Sequence, residues 1–159
     1  MTLCDGPLGV PLLRSKDVLP LAGLRFRLSC IPPTTTHHAK RIVRLGRFSR
    51  LADKPELVGA KQTLEALLLP FQPASPVPGP VALTVHWTWP WLKGHSKRDR
   101  ALGLKLHTSK PDLTNVMKTL EDRLVRLRFI EDDRSVARLS LTKHWGDVPG
   151  IAIEIVSLA

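Results

Sequence analysis

The clearest pattern in the chain is an alternation of apolar and polar positions between Val81 and Trp91. Every odd-numbered position in this stretch is valine, leucine or tryptophan. A period of two predicts a strand with one buried face, and we expect that strand to end near Pro90. The tryptophans could stack on bases. We favour core packing, because the same face also carries valine and leucine.

Similar alternation predicts three more strands. They cover residues 24–30, 137–142 and 151–155. Ile31-Pro32-Pro33 ends the first of them, because proline cannot donate to a strand ladder. Residues 146–150 turn the chain between the last two, which predicts that these two strands run antiparallel. A weaker alternation predicts a short strand near residues 42–48.

Apolar residues at helical spacing predict two main helices, over residues 55–69 and 113–127. The first has a start signal, since Asp53 can cap it, Pro55 is tolerated in its first turn, and Glu56 can complete a capping box. In the second, the apolar residues share one arc: Leu113, Val116, Met117, Leu120, Leu124 and Leu127. Intermixed strands and helices predict an α+β fold, with a small mixed or antiparallel sheet.

Proline, glycine and polar clusters mark the connecting segments. Residues 1–20 are predicted to form an irregular arm ahead of one domain over residues 21–159. Five prolines between positions 70 and 80 predict a loop, and the basic run over residues 93–100 predicts a mobile loop. Adjacent residues on a strand face opposite ways, so for His37 and His38 we favour a solvated loop over a metal site.

Composition restricts the class of protein and of partner. The 159 residues fit one domain, and 43% hydrophobic with 24% charged residues is ordinary for a globular chain. No apolar run approaches the roughly 18 residues of a membrane helix, and we expect no secretory leader. Cys4 and Cys30 fit no metal spacing and favour a reduced, cytoplasmic protein. A formal net charge of +10 favours a polyanionic partner, for which we expect nucleic acid.

Acidic residues are scarce, yet several lie around the second predicted helix. An arc roughly opposite the apolar face holds Asp112, Asn115, Lys118 and Asp122, and Asp132 and Asp133 follow the helix. Capping would explain an isolated Asp112 and would contribute about 1 kcal/mol, and a solvated turn would explain the pair. The combination also suits Mg²⁺ facing a phosphate, because Mg²⁺ takes oxygen ligands and activates water. A nearby lysine would balance charge that builds up on phosphorus.

The same segment resembles the RusA-type Holliday junction resolvases. The resemblance lies in the segment "KPDLTNVMK", the helix it begins, the segment "FIEDDRSV" and the basic strand that follows to Lys143. Three features of the family correspond to them. These are a Pro-Asp-x-Asp-Asn motif, a lysine three residues later, and a later Asp-Asp pair. The resemblance covers roughly residues 105–154. It implies a Mg²⁺-dependent homodimer that cuts opposed strands of a four-way DNA junction in recombination and repair.

The resemblance also implies roles for individual residues. Asp112, Lys118 and Asp133 correspond to the catalytic set, with Asp112 and Asp133 on the metal and Asp132 as a helper. Asn115 matches the motif asparagine, and we expect it to contact DNA together with six basic residues: Lys93, Lys97, Arg98, Lys110, Arg134 and Lys143. We expect the basic segment over residues 41–50 to help. Phosphate contacts position a protein without reading bases, so we expect recognition by junction shape.

One position departs from the family pattern. Thr114 stands where the motif has its second aspartate, so the metal site has one carboxylate fewer. We favour an active nuclease, because the remaining set is complete and water can finish the coordination. The alternative is a catalytically impaired protein that binds branched DNA without cutting it. A basic RNA-binding or ribosome-associated protein would leave the acidic cluster unexplained.

Overall fold

A computed structural model describes residues 17–18 and 23–159, which form a six-stranded sheet, a separate hairpin and three helices. The strands are β1 (Asp17–Val18), β2 (Gly23–Leu28), β3 (Lys40–Leu45), β4 (Phe48–Asp53), β5 (Val81–Pro90), β6 (Leu104–Leu106), β7 (Val136–Gly146) and β8 (Gly150–Ser157). The helices are α1 (Pro55–Leu68), α2 (Lys97–Ala101) and α3 (Leu113–Arg126). The α+β class with two main helices is confirmed.

The main sheet has the order β1-β2-β8-β5-β7-β6, in which only β5 and β7 run parallel. The last two strands run antiparallel, as predicted, but they do not pair with each other, because β5 lies between β7 and β8. Strand β8 lies inside the sheet because side chains on both of its faces are buried. Ile151 and Ile153 are buried on one face, and Ala152 between them is buried on the other.

One core joins the two main helices to the central strands. Leu64 and Leu68 of α1 belong to the same buried cluster as Leu120 and Leu124 of α3. Trp87 and Trp89 of β5 are also in that cluster, which confirms core packing for them. Burying several large apolar side chains, each worth about 1.5–3 kcal/mol, fixes α3 firmly against the sheet.

The start of α1 differs from the prediction. Asp53 is the last residue of β4, so it cannot act as the cap. Lys54 occupies the cap position without a side-chain hydrogen bond. The Asp53 carboxylate instead accepts a hydrogen bond from Lys61 Nζ at 2.6 Å. The boundaries of both main helices agree with the predicted ones to within one residue.

The basic segment after the Pro-Pro pair forms two strands rather than one. Strands β3 and β4 pair with each other and make a sheet of their own. Gly46 and Arg47 turn the chain between them, and Gly46 has φ +62°, a conformation that glycine adopts without steric cost. The predicted single strand over residues 42–48 ran across this turn.

The basic run over residues 93–100 is not simply a mobile loop. Its second half begins α2, and Ser96 and Asp99 form a capping box there. Ser96 Oγ accepts a hydrogen bond from the Asp99 N–H at 3.1 Å, and Asp99 Oδ2 accepts one from the Ser96 N–H at 3.2 Å. The Ser-x-x-Asp spacing was the signal that we missed.

The predicted N-terminal arm lies outside the described residues, apart from β1, which pairs with β2. Cys30 is a free thiol, and Cys4 also lies outside the described part. None of the helices in the described part is long and apolar enough to cross a membrane.

Candidate nuclease site

The first turn of α3 presents Asp112 to solvent. Asp112 has the extended backbone of a cap residue, but its side chain makes no capping hydrogen bond to the helix. Within the described residues, its carboxylate accepts one hydrogen bond, from Asn115 Nδ2 to Oδ2 at 3.3 Å. Capping therefore does not occupy this carboxylate, and Oδ1, which accepts no hydrogen bond from the described residues, is available to another partner.

Lys143 anchors the loop that carries Asp112. Its ammonium group extends from β7 and donates to the backbone carbonyl of Pro111 at 2.7 Å and to that of Ser109. Burial lowers the pKa of Lys143, and the charge of Asp112 opposes that effect. The structure thus places Lys143, predicted as a DNA contact, on the backbone immediately before Asp112.

Lys118 lies among three carboxylates. Its Nζ is 3.1 Å from Asp133 Oδ2 and 3.3 Å from both Glu121 Oε2 and Asp122 Oδ1. The hydrogen bond with Asp133 is the main cause that raises the pKa of Lys118 well above its usual range. The structure therefore brings together Lys118 and Asp133, two residues that the family resemblance assigned to one catalytic set.

Glu121 and Asp122 were not among the predicted site residues. The signal was present in the sequence, because side chains three and four positions apart meet on a helix surface. Both carboxylates contribute to keeping Lys118 protonated.

Asp132 is committed to a local contact. Its Oδ1 accepts hydrogen bonds from the Arg134 N–H and Nε, both at 2.9 Å, and its Oδ2 accepts one from Nη2 at 3.0 Å. These hydrogen bonds lower the pKa of Asp132 far below its usual range. The Asp132 carboxylate caps a 3₁₀ turn over Asp133–Ser135 by accepting the hydrogen bond from the Arg134 N–H. This turn directs the Asp133 side chain toward Lys118.

The remaining predicted DNA contacts lie in two places. Lys110 and Arg134 are exposed near Asp112 and Asp133. Lys93, Lys97 and Arg98 are exposed on α2 and the turn before it. Along the chain, strand β6 lies between this second group and the loop that carries Asp112.

The loop before β3 reaches α3 through a residue that sequence reasoning did not place in the site. His37 Nδ1 lies 3.2 Å from the backbone carbonyl oxygen of Asn115, so its Nδ1–H tautomer donates to that oxygen. His37 is half-buried, whereas His38 is exposed, and the centroids of the two rings lie 3.9 Å apart with the ring planes tilted by 37°. No spacing in the sequence indicates this long-range contact.

The donor set suits a hard divalent cation. Asp112 and Asp133 are exposed and offer carboxylate oxygens, and Mg²⁺ usually takes one or two carboxylates with water in its other positions. Among the residues that the structure describes, no three His, Cys, Asp or Glu side chains converge as a metal-binding group. The described residues therefore offer two exposed carboxylates whose chemistry fits a divalent cation, and they form no closed cage of protein ligands.

Comparison with known proteins points to one family. The family model for the endodeoxyribonuclease RusA matches residues 31–156. A 51-residue segment is 39% identical to a crossover junction endodeoxyribonuclease RusA from Lactococcus phage r1t. The alignment covers 32% of this chain and 39% of that relative, so it spans well under half of either protein.

Proposed function

The chain belongs to the RusA endodeoxyribonuclease family, and from that premise we propose that it is a Mg²⁺-dependent nuclease that resolves four-way DNA junctions. We propose that it acts in recombination and repair, in the cytoplasm. The observation that carries the proposal is the contact between Lys118 of α3 and Asp133, together with Asp112 just before α3, whose carboxylate makes no capping hydrogen bond.

We assign the metal to Asp112 and Asp133. When bound, Mg²⁺ would polarise the scissile phosphoryl group and make water a better nucleophile. Asn115 holds the Asp112 carboxylate by a hydrogen bond, and Lys143 holds the backbone before it. These two contacts would position Asp112 before substrate arrives, which favours catalysis because no rearrangement is then needed.

Lys118 is the residue that we assign to transition-state stabilisation. Its carboxylate neighbours keep the ammonium group charged, so it can stabilise negative charge that develops on the phosphate oxygens. Its contact with Asp133 places that charge beside a proposed metal ligand. The Asp132 carboxylate remains hydrogen-bonded to the Arg134 guanidinium, so we assign it the role of shaping the turn that presents Asp133.

Basic side chains around the site would hold the DNA backbone. We propose phosphate contacts from Lys110 and Arg134 near the site, and from Lys93, Lys97 and Arg98 near α2. The hairpin formed by β3 and β4 adds five more basic residues: Lys40, Arg41, Arg44, Arg47 and Arg50. Such contacts position the protein without reading sequence, so shape would select the junction.

A homodimer suits the proposed substrate. A four-way junction has approximate two-fold symmetry, and two copies related by a two-fold axis would bring one site to each of two opposed strands. Sedimentation of the free protein and of its junction complex would measure this stoichiometry.

Cleavage of a synthetic four-way junction tests the catalytic assignments. We expect Asp112→Asn and Asp133→Asn each to reduce the cleavage rate by at least about 100-fold, because a lost metal ligand removes several kcal/mol of transition-state stabilisation. Asp122→Asn is the matched control, since it also removes a carboxylate from Lys118 and should change the rate only a few-fold. Parental rates in Asp112→Asn and Asp133→Asn would refute the assignment.

A second candidate function is junction binding without cleavage. Thr114 in place of the motif aspartate favours it, as does the small number of carboxylates that meet in the described part of the chain. Tight junction binding with no Mg²⁺-dependent products from the parent would establish this alternative.

A further inference from the structure

The hairpin of β3 and β4 exposes large apolar side chains along its length. Phe48 is 80% exposed, Ile42 and Leu51 are each 70% exposed, and Leu45 is 56% exposed. An isolated two-stranded hairpin is only marginally stable in water, and exposed apolar groups of this size commonly mark a binding surface. The arrangement points to a partner that covers the hairpin.

The end of the hairpin carries an apolar pair. Leu45 lies opposite Phe48 in the register, on either side of the turn made by Gly46 and Arg47. Directly opposed residues on paired strands have neighbouring side chains on one face. We call Leu45 and Phe48 the apolar tip. Ile42 and Leu51 also oppose each other, but they lie farther from the turn and on the other face.

Charge decides between two occupants of this surface. Residues 40–52 contain five lysines and arginines and no acidic residue. The next residue, Asp53, is already paired with Lys61. If the hairpin of a second copy covered this hairpin, five basic residues would face five others and the two surfaces would repel each other, so a dimer would pair through another surface. DNA supplies the opposite charge and also has apolar base faces.

The base of the hairpin is fixed close to the candidate site. The Lys54 N–H donates to the Ala39 carbonyl at 2.9 Å and closes the hairpin. The Asp53–Lys61 pair ties it to α1, and the contact from His37 to Asn115 ties the preceding loop to the first turn of α3. The tip therefore projects from a base that is held beside Asp112.

We propose that the apolar tip is a wedge that stacks on the base pairs at the branch point of a DNA junction. This inference rests on the proposed function and names the feature that selects branched DNA. Proteins insert apolar side chains between base steps at the cost of unstacking them. At a branch point the end faces of base pairs are already open, so insertion costs less there than within a duplex. The arginines supply affinity, and the tip supplies the preference for branches.

Binding of Phe48→Ala to a four-way junction and to a duplex of the same length, without Mg²⁺, tests the wedge. Removal of one stacking ring should weaken junction binding by roughly fivefold to 100-fold and leave duplex binding within about twofold. Leu51→Ala is the matched control, because its side chain is equally apolar and exposed but lies away from the tip. Phe48→Trp should keep the parental ratio of junction to duplex affinity, because it also supplies an aromatic ring that can stack on a base pair.

Three results would overturn the wedge. Phe48→Ala could keep the parental ratio of junction to duplex affinity, it could lose both affinities equally, or it could convert a dimer to a monomer in sedimentation. The last result would make the hairpin a protein interface. Junction cleavage by the parent, measured in parallel, separates the two proposals. If the parent cuts junctions while the variant keeps its selectivity, only the wedge fails, whereas a parent that neither binds nor cuts junctions refutes the proposed function as well.

Discussion

At the scale of single residues, the proposed chemistry depends on three side chains and on the contacts that hold them in place. Asp112, Lys118 and Asp133 are distinctive because acidic residues are scarce in this chain and a motif arranges them. The sequence did not show which residues contact the loop and the helix turn that carry these side chains. That Lys143 anchors backbone carbonyls, and that His37 reaches Asn115, depends on pairings between distant segments. No local pattern encodes such pairings.

Thr114 is the residue at which this chain departs most from the motif. It is exposed at the second position of α3, and the first turn of that helix contains no acidic residue. Thr114→Asp should stabilise the fold by roughly 0.3–1 kcal/mol, because a negative charge is favourable at a helix N-terminus. It should also lower the Mg²⁺ concentration that gives half-maximal cleavage.

Urea unfolding and a Mg²⁺ titration of cleavage measure these two effects. Thr114→Asn is the control, since it has the shape of aspartate without the charge. Equal Mg²⁺ requirements for the two variants would show that the added carboxylate does not reach the metal.

His107 should make stability depend on pH. It is buried, its ring stacks on Trp145, and burial and the charge of Lys143 lower its pKa to about 4. The unfolded chain, with an ordinary pKa near 6.5, then binds more protons between these values. Stability is therefore fully present above about pH 6.5 and is lost as the pH falls toward 4, by up to roughly 3 kcal/mol.

Urea unfolding at pH 7 and pH 4.5 measures this loss. Burial also lowers the pKa of His86 and His144, so the His107→Gln variant is needed to isolate one residue. This variant should lose less stability than the parent between the two pH values. An identical loss in both proteins would contradict the assignment to His107.

At the scale of elements, length and regularity decided what could be predicted. β5 and α3 were predicted well because each has a long, uninterrupted pattern of one period. The neighbours of β8 were not predictable, because alternation identifies a buried face but not the strand that lies beside it. The hairpin was read as one strand, because its exposed faces show little contrast between apolar and polar positions.

The loop before the hairpin gives a prediction at this scale. His37→Ala removes the contact to Asn115 and should release the base of the hairpin from α3. Backbone amides of β3 and β4 should then exchange with solvent several-fold faster, while the free energy of global unfolding changes little. His38→Ala is the control, because it removes the ring beside His37 and leaves the contact from His37 to Asn115 in place. Hydrogen exchange read by mass spectrometry distinguishes them, and equal exchange in both variants would contradict the anchoring role.

At the scale of the whole molecule, charge is the property that the sequence showed most directly. The excess of ten positive charges predicted a polyanionic partner, and the fold concentrates five of the basic residues on one projecting hairpin. The direction of the hairpin relative to the site could not be read from composition, because it depends on where α1 and α3 pack.

Salt dependence tests the contribution of the hairpin. Each phosphate contact contributes about 0.9 to the slope of log affinity against log salt concentration. Replacing Arg41, Arg44 and Arg50 by glutamine should reduce the slope for junction binding by about 2.7, and the same change should weaken duplex binding. Replacing three basic residues outside the proposed contacts, such as Lys54, Arg126 and Arg128, should reduce the slope much less. An equal reduction would assign the effect to net charge alone.

The experiment to make first is cleavage of a synthetic four-way junction by the parent, with and without Mg²⁺, beside Thr114→Asp. We expect the parent to make paired, symmetric nicks that require Mg²⁺, which would establish a resolvase that works with threonine at position 114. No products from the parent, with cleavage restored by Thr114→Asp, would contradict this and would show a junction-binding scaffold whose metal site has lapsed.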